Sequence, residues 1–154
     1  MAKIEKGDKL PEFSLPDQNG LMRDMKDFIG KSNIVLFFYP KNDTPGCTRE
    51  ACAFRDHYDD FADAGAEVFG ISGQSVKSHK KFAEKHNLNY PILSDQGNKV
   101  RKMFGVPSGL FGLVPGRVTY IADQSGKVIY IFDSQTNVEQ HVKKALEVLG
   151  IKSD

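Results

Sequence analysis

Ile34-Val35-Leu36-Phe37-Phe38-Tyr39 runs straight into Pro40-Lys41-Asn42-Asp43-Thr44-Pro45-Gly46-Cys47-Thr48-Arg49-Glu50-Ala51-Cys52. The first six residues are a continuous apolar run of strand length, which reads as a strand buried on both faces. From about 46 to 64 the residues Ala51, Phe54, Tyr58, Phe61 and Ala62 fall at three- and four-residue spacing, the pattern of an amphipathic helix. Gly65 then stands where a helix C′ residue belongs. Pro40 ends the strand, and Thr44 followed by Pro45 makes a favourable N-cap and N1 pair. Cys47 is therefore expected at N3, in the first turn of the helix.

Working outward, Val68-Phe69-Gly70-Ile71 reads as a second strand, Ser75 to His86 as a helix with a thin apolar face, and Tyr90-Pro91-Ile92-Leu93 as a short strand. Asn98 to Phe104 reads as a short helix ending near Gly105. Gly and Pro interrupt every periodicity over 106–116, so that stretch reads as a loop, with Phe111 expected to cover the pocket beside the cysteine. Arg117–Ile121 and Lys127–Phe132 are strands flanking the Asp123-Gln124-Ser125-Gly126 turn of a hairpin. Thr136-Asn137-Val138-Glu139 has the form of a capping box and opens a last helix, with Val138, Val142, Ala145, Leu146 and Leu149 on one face. Upstream, Phe13-Ser14-Leu15 as a strand and Asn19-Gly20 as a turn predict an added N-terminal hairpin. A strand–helix–strand order implies a parallel pair with a right-handed crossover, and the closing hairpin adds antiparallel strands. The expectation is one α/β domain over residues 1–154, with a mixed central sheet flanked by helices.

Lys and Arg number 21 against 20 Asp and Glu, a net charge of +1, and 40% of the residues are apolar. A nucleic-acid binder carries a basic bias that is missing here. No apolar stretch approaches the roughly 18 residues of a membrane span. The first residues have no apolar core of a secretory signal, which predicts an intracellular, cytoplasmic protein. A mature chloroplast protein without its transit peptide would read the same way. In such a compartment a close cysteine pair points to redox or metal chemistry rather than to a structural bridge. The four histidines show no partner spacing for a metal. His57, His79, His86 and His141 read as helix-surface residues, as do Lys77, Lys80, Lys81, Lys85, Glu50 and Asp56.

A first-turn cysteine meets unpaired amide N–H groups and the positive end of the helix dipole, which favour thiolate over thiol. The alternative is an inert cysteine packed in a helix. Cys52 either reacts with Cys47 or is a small apolar residue on the helix face. At i and i+5 the two Cα atoms lie about 8.7 Å apart. A disulfide spans up to about 7 Å, so the two cysteines join only if the helix unwinds. Thr44 either caps the helix alone or also offers its hydroxyl to an incoming oxygen. Charge moving onto a leaving oxygen calls for a cation, and Arg49 and Arg117 are the candidates.

Pro40-x-x-x-Thr44-x-x-Cys47 resembles the peroxiredoxins. With Cys52 five residues on, it is similar to the peroxiredoxin Q / bacterioferritin comigratory protein subfamily. Further matches run nearly end to end: Lys9-Leu10-Pro11-x-Phe13-x-Leu15-x-Asp17-Gln18-x-Gly20, Ala51-Cys52-Ala53-Phe54-Arg55-Asp56, Gly70-Ile71-Ser72, Leu93-Ser94-Asp95 and Pro115-Gly116-Arg117-x-Thr119-Tyr120. The stretch Leu110–Arg117 looks closer to plant-type than to enteric-type members. The resemblance implies a thioredoxin-like fold and a thiol-dependent peroxidase without metal or other cofactor. It makes Cys47 the peroxidatic cysteine, Cys52 the resolving cysteine joined to it in an intramolecular disulfide, and Arg117 rather than Arg49 the active-site arginine. Pro40, Thr44, Cys47 and Arg117 would bind the hydroperoxide, and thioredoxin, or glutaredoxin, would be the reductant of a monomeric enzyme. A thioredoxin-like oxidoreductase without peroxidase activity would need a CxxC pair, which the chain lacks. A non-enzymatic redox switch would form the disulfide without turnover.

Overall fold

The computed structural model describes residues 3–109 and 114–152. In chain order the elements are β1 (Ser14–Pro16), β2 (Met22–Asp24), a 3-10 turn (Met25–Asp27), β3 (Asn33–Phe38), α1 (Pro45–Asp56), α2 (Tyr58–Asp63), β4 (Ala66–Ser72), α3 (Val76–His86), β5 (Ile92–Ser94), α4 (Lys99–Phe104), β6 (Ser108–Gly109), β7 (Val114–Pro115), β8 (Val118–Ala122), β9 (Val128–Asp133) and α5 (Val138–Val148). The central sheet has the order β5-β4-β3-β8-β9. β3, β4 and β5 are parallel, and β8 and β9 close the sheet antiparallel. β1 and β2 form the expected N-terminal hairpin.

The apolar run decides this architecture because its residues alternate between two cores. Val35, Phe37 and Tyr39 face α1, α2, α3 and α5, while Ile34, Leu36 and Phe38 face α4 and the N-terminal segment. A central strand buried on both sides needs apolar residues at every position, not every second one. Phe54 of α1 stacks on Phe37 at 4.4 Å between ring centroids and is fully buried. Burial of one such ring contributes about 2–3 kcal/mol and fixes α1 against the sheet.

Four expectations change. The predicted helix over 46–64 is two helices, broken at His57, whose backbone (φ −104°, ψ 9°) leaves the helical region. The short strand lies at Ile92–Ser94, since Pro91 has no N–H to give a ladder. The capping box does not form: Asn137 is the N-cap without a side-chain bond, and Glu139 pairs with Arg49 instead. The stretch read as a loop carries the β6–β7 ladder. The reading of Phe111 as a cover for the pocket falls outside the described residues.

Candidate active site

Three elements converge on Cys47. It stands at N3 of α1, after N-cap Thr44 and N1 Pro45, and is 1% exposed. Arg117, just before β8, is also buried. Its Nη2 donates to Cys47 Sγ at 3.4 Å, its Nη1 to Glu50 Oε1 at 2.6 Å, and its Nε to the Gln135 carbonyl at 3.1 Å. Three acceptors thus hold a planar guanidinium in one orientation. Gly46 lets it come so close: a Cβ there would lie 3.1 Å from Nη2.

Glu50 is fully buried, against the reading of a surface carboxylate. Its Oε2 takes no hydrogen bond among the described residues and faces Nδ1 of His141 at 3.5 Å. Burial pushes the Glu50 carboxyl up to about 8, with Arg117 pulling the other way. His141, on α5, is buried too and not on the surface. Its Nε2 faces the Ser134 carbonyl at 2.7 Å, which only accepts, so Nε2 carries the proton. Nδ1 then accepts from the Thr119 hydroxyl at 2.7 Å. Burial lowers this imidazole to about 4, so it is neutral.

Cys52 is half-buried, and both cysteines are free thiols on one intact helix. Thr44 caps α1 by position, but its hydroxyl donates to the Lys41 carbonyl at 2.9 Å rather than to a helix amide. Pro40 is half-buried at the end of β3. Arg49 points away, to an exposed ion pair with Glu139 on α5.

Glu50 and His141 were missed by sequence reasoning, although a signal existed. Cys47, Glu50, Ala51 and Phe54 are one buried stripe at i, i+3, i+4, i+7, and carrying the apolar face back by one turn puts Glu50 on it. His141 sits beside Val138, Val142 and Ala145 on the buried face of α5 in the same way. His79 is likewise buried, whereas Lys77, Lys80, Lys81 and Lys85 are exposed as expected. Among the described residues no group of three or more His, Cys, Asp and Glu side chains is placed to hold a metal ion, and no helix is long and apolar enough to cross a membrane.

A buried cysteine at a helix start with an arginine on its sulfur, in this sheet order, defines a thiol-based redox protein. Residues 6–131 match the model of the AhpC/TSA family, and the chain belongs to that family, the peroxiredoxins. Within it the chain is similar to peroxiredoxin Q. A wheat (Triticum aestivum) protein named peroxiredoxin Q, chloroplastic, is 51% identical over 147 residues, which are 96% of this chain and 67% of the relative. The crystal structure of peroxidoxin BcpB from Mycobacterium tuberculosis is 40% identical with a TM-score of 0.87, over 97% of this chain and 99% of that one. A Xanthomonas campestris bacterioferritin comigratory protein, described for its alkyl peroxide reduction activity, is 28% identical with a TM-score of 0.83, over 93% and 98% of the two chains. The chain is a thiol-dependent peroxidase, an oxidoreductase with a thioredoxin-like fold.

Proposed function

We propose that the chain reduces hydrogen peroxide and small organic hydroperoxides at Cys47. The observation that carries this is the 3.4 Å approach of Arg117 Nη2 to a buried sulfur at the start of α1. The Cys47 thiolate attacks one peroxide oxygen; the O–O bond breaks and the alkoxide or hydroxide leaves and takes up a proton. Cys47 becomes a sulfenic acid, two electrons poorer. Arg117 and the first-turn amide groups stabilise charge on the leaving oxygen, and Pro40 and the Thr44 hydroxyl border the place where the peroxide lies. The first turns of α1 then unwind, and the Cys52 thiol condenses with the sulfenic acid, forming an S–S bond and releasing water. A dithiol protein of the thioredoxin or glutaredoxin type restores both thiols by exchange.

On this reading the chain is a single domain and a monomer: a resolving thiol on the same helix as the peroxidatic one calls for no partner subunit. The chloroplast naming of the plant relatives supports the organelle reading over the cytoplasmic one. The decisive test is intact mass after one equivalent of peroxide. The wild type loses two hydrogens, Cys52→Ser gains one oxygen, and Cys47→Ser is unchanged and without turnover. Retained turnover in Cys47→Ser would end this reading.

A further inference from the structure

The segment between β3 and α1 carries Pro40 and Thr44, the two residues placed at the peroxide. Lys41 and Asp43 are exposed, Pro40 and Thr44 half-buried, and Asn42 alone is buried, at 5% exposure. Asp43, a non-glycine residue, sits at φ +61°, in the left-handed region, so the backbone is held against its local preference. Among the described residues the Thr44 hydroxyl bonds within the segment, to Lys41, and Asp43 reaches Lys85 in an exposed pair at 3.4 Å.

Asn42 does the holding. Its Oδ1 accepts from the Tyr39 hydroxyl at 2.6 Å. Its Nδ2 donates to Ser78 Oγ at 3.1 Å and to His79 Nδ1 at 2.8 Å. Its backbone N–H donates to Gln74 Oε1 at 2.9 Å, an oxygen that also takes the Ser72 hydroxyl at 2.8 Å. His79 is fully buried, and its Nε2 faces the Leu93 carbonyl at 2.9 Å. That carbonyl only accepts, so Nε2 carries the proton and Nδ1 offers its lone pair to Asn42. Both Nδ2 hydrogens and one Oδ1 lone pair of the amide are thus engaged, and it ties the segment to α3 and to the carboxyl ends of the parallel strands. Ligands of open α/β sheets bind at those strand ends.

Resting on the functional reading above, we propose that Asn42, held by His79, is the positioning residue that sets the Pro40–Thr44 segment beside Cys47 for in-line attack on the peroxide. Neither residue touches the sulfur in the structure; they act through the segment. A displacement of about 1 Å in a reacting geometry costs on the order of 100-fold in rate, whereas a thiolate reacting with a small alkylating agent needs no such alignment.

The experiment compares two reactions of Cys47 in the same variants: hydroperoxide reduction by stopped flow, and alkylation by iodoacetamide. Asn42→Ala is expected to lower kcat/KM for hydroperoxide by about 10- to 100-fold with alkylation unchanged. Asn42→Ser, which retains a polar group and solubility, reads out the same ratio should the alanine variant fold poorly. His79→Leu is expected to follow Asn42→Ala. His79→Gln, whose amide can accept from Asn42 and donate to Leu93, is expected to recover most of the rate. Wild-type peroxide kinetics in Asn42→Ala, an equal fall in both reactions, or no recovery in His79→Gln would overturn the proposal. A wild type that alkylates at Cys47 but consumes no peroxide would sink the functional reading instead.

Discussion

One guanidinium serves two acids: Arg117 gives Nη1 to Glu50 Oε1 at 2.6 Å and Nη2 to Cys47 Sγ at 3.4 Å. A lysine ammonium is a point charge and cannot hold both positions with a fixed fork. Arg117→Lys is therefore expected to lower kcat/KM for hydroperoxide by about 10²-fold or more, the scale of losing one aimed donor in a transition state. Melting temperature should move little by comparison, since a cation still faces Glu50. Peroxide kinetics beside a thermal melt check this, and a variant with near-wild-type kcat/KM would refute the role.

The shared arginine also predicts a pH dependence. Below about 8 the Glu50 carboxyl is protonated, and the charge of Arg117 faces the sulfur uncompensated. As pH rises through that value the carboxylate forms and competes for the same cation, so kcat/KM should decline on the alkaline side. Glu50→Gln cannot ionise and should lack that limb. Stability follows the same protons. Glu50 holds a proton in the fold that the unfolded chain releases above its ordinary value of 4.5, so its contribution fades as pH rises from 4.5 to about 8. His141 is lowered from 6.5 to about 4, so the unfolded chain binds a proton the fold refuses, and stability rises with pH over that window. The two oppose each other between 4.5 and 6.5. Removing Glu50 leaves His141 unopposed by it, with buried His79 lowered in the same direction and adding to the rise: Glu50→Gln should gain melting temperature from pH 4 to 6.5 and then level off.

Unwinding of α1 meets a specific obstacle. The buried Tyr90 hydroxyl donates to the Ala51 carbonyl at 2.6 Å, one residue before Cys52. Its backbone is fixed in turn by Gln18, which accepts from Ile92 N–H and donates to the Tyr90 carbonyl. Tyr90→Phe removes this tie while keeping the ring. The net worth of such a bond, about 1 kcal/mol, corresponds to roughly a fivefold faster opening. Quenched-flow mass spectrometry should show the disulfide forming faster from the sulfenic acid. The variant should also resist over-oxidation at high peroxide. Unaltered resolution would mean the helix opens without breaking this contact.

Much of this was legible in the sequence because strong local signals and the tertiary structure agree. The run Ile34–Tyr39, the N-cap and N1 pair Thr44-Pro45, and the hairpin turn at Asp123–Gly126 each specify an element without help from elsewhere. What stayed hidden depends on packing. Glu50, His79 and His141 look like surface residues by type, and only the helix stripes on which they sit place them inside. The capping box at Thr136 is out of register because the helix starts one residue later, with Asn137 as its N-cap, and Glu139 pairs instead with Arg49, a partner 90 residues away that no local pattern reports. The break at His57 lies within a stretch whose apolar spacing continues through it, so periodicity alone could not show two helices.

Gly46 separates stability from activity. It occupies the second position of α1 with ordinary helical backbone, so an alanine there is not strained. Replacing glycine by alanine inside a helix gains about 0.5–1 kcal/mol, less so near the end. The new Cβ would stand 3.1 Å from Arg117 Nη2 and 3.5 Å from Val138 Cγ2. The guanidinium is the side that can give, but it is tied to Glu50, Gln135 and Cys47, and the tie to Cys47 is the longest of the three. Arg117 should therefore yield at the sulfur first. Gly46→Ala is expected to keep or raise the melting temperature while kcat/KM for hydroperoxide falls by about tenfold, the cost of a few tenths of an ångström at an aimed donor. A variant that gains stability and loses no activity would show that Arg117 has room to spare beside Cys47.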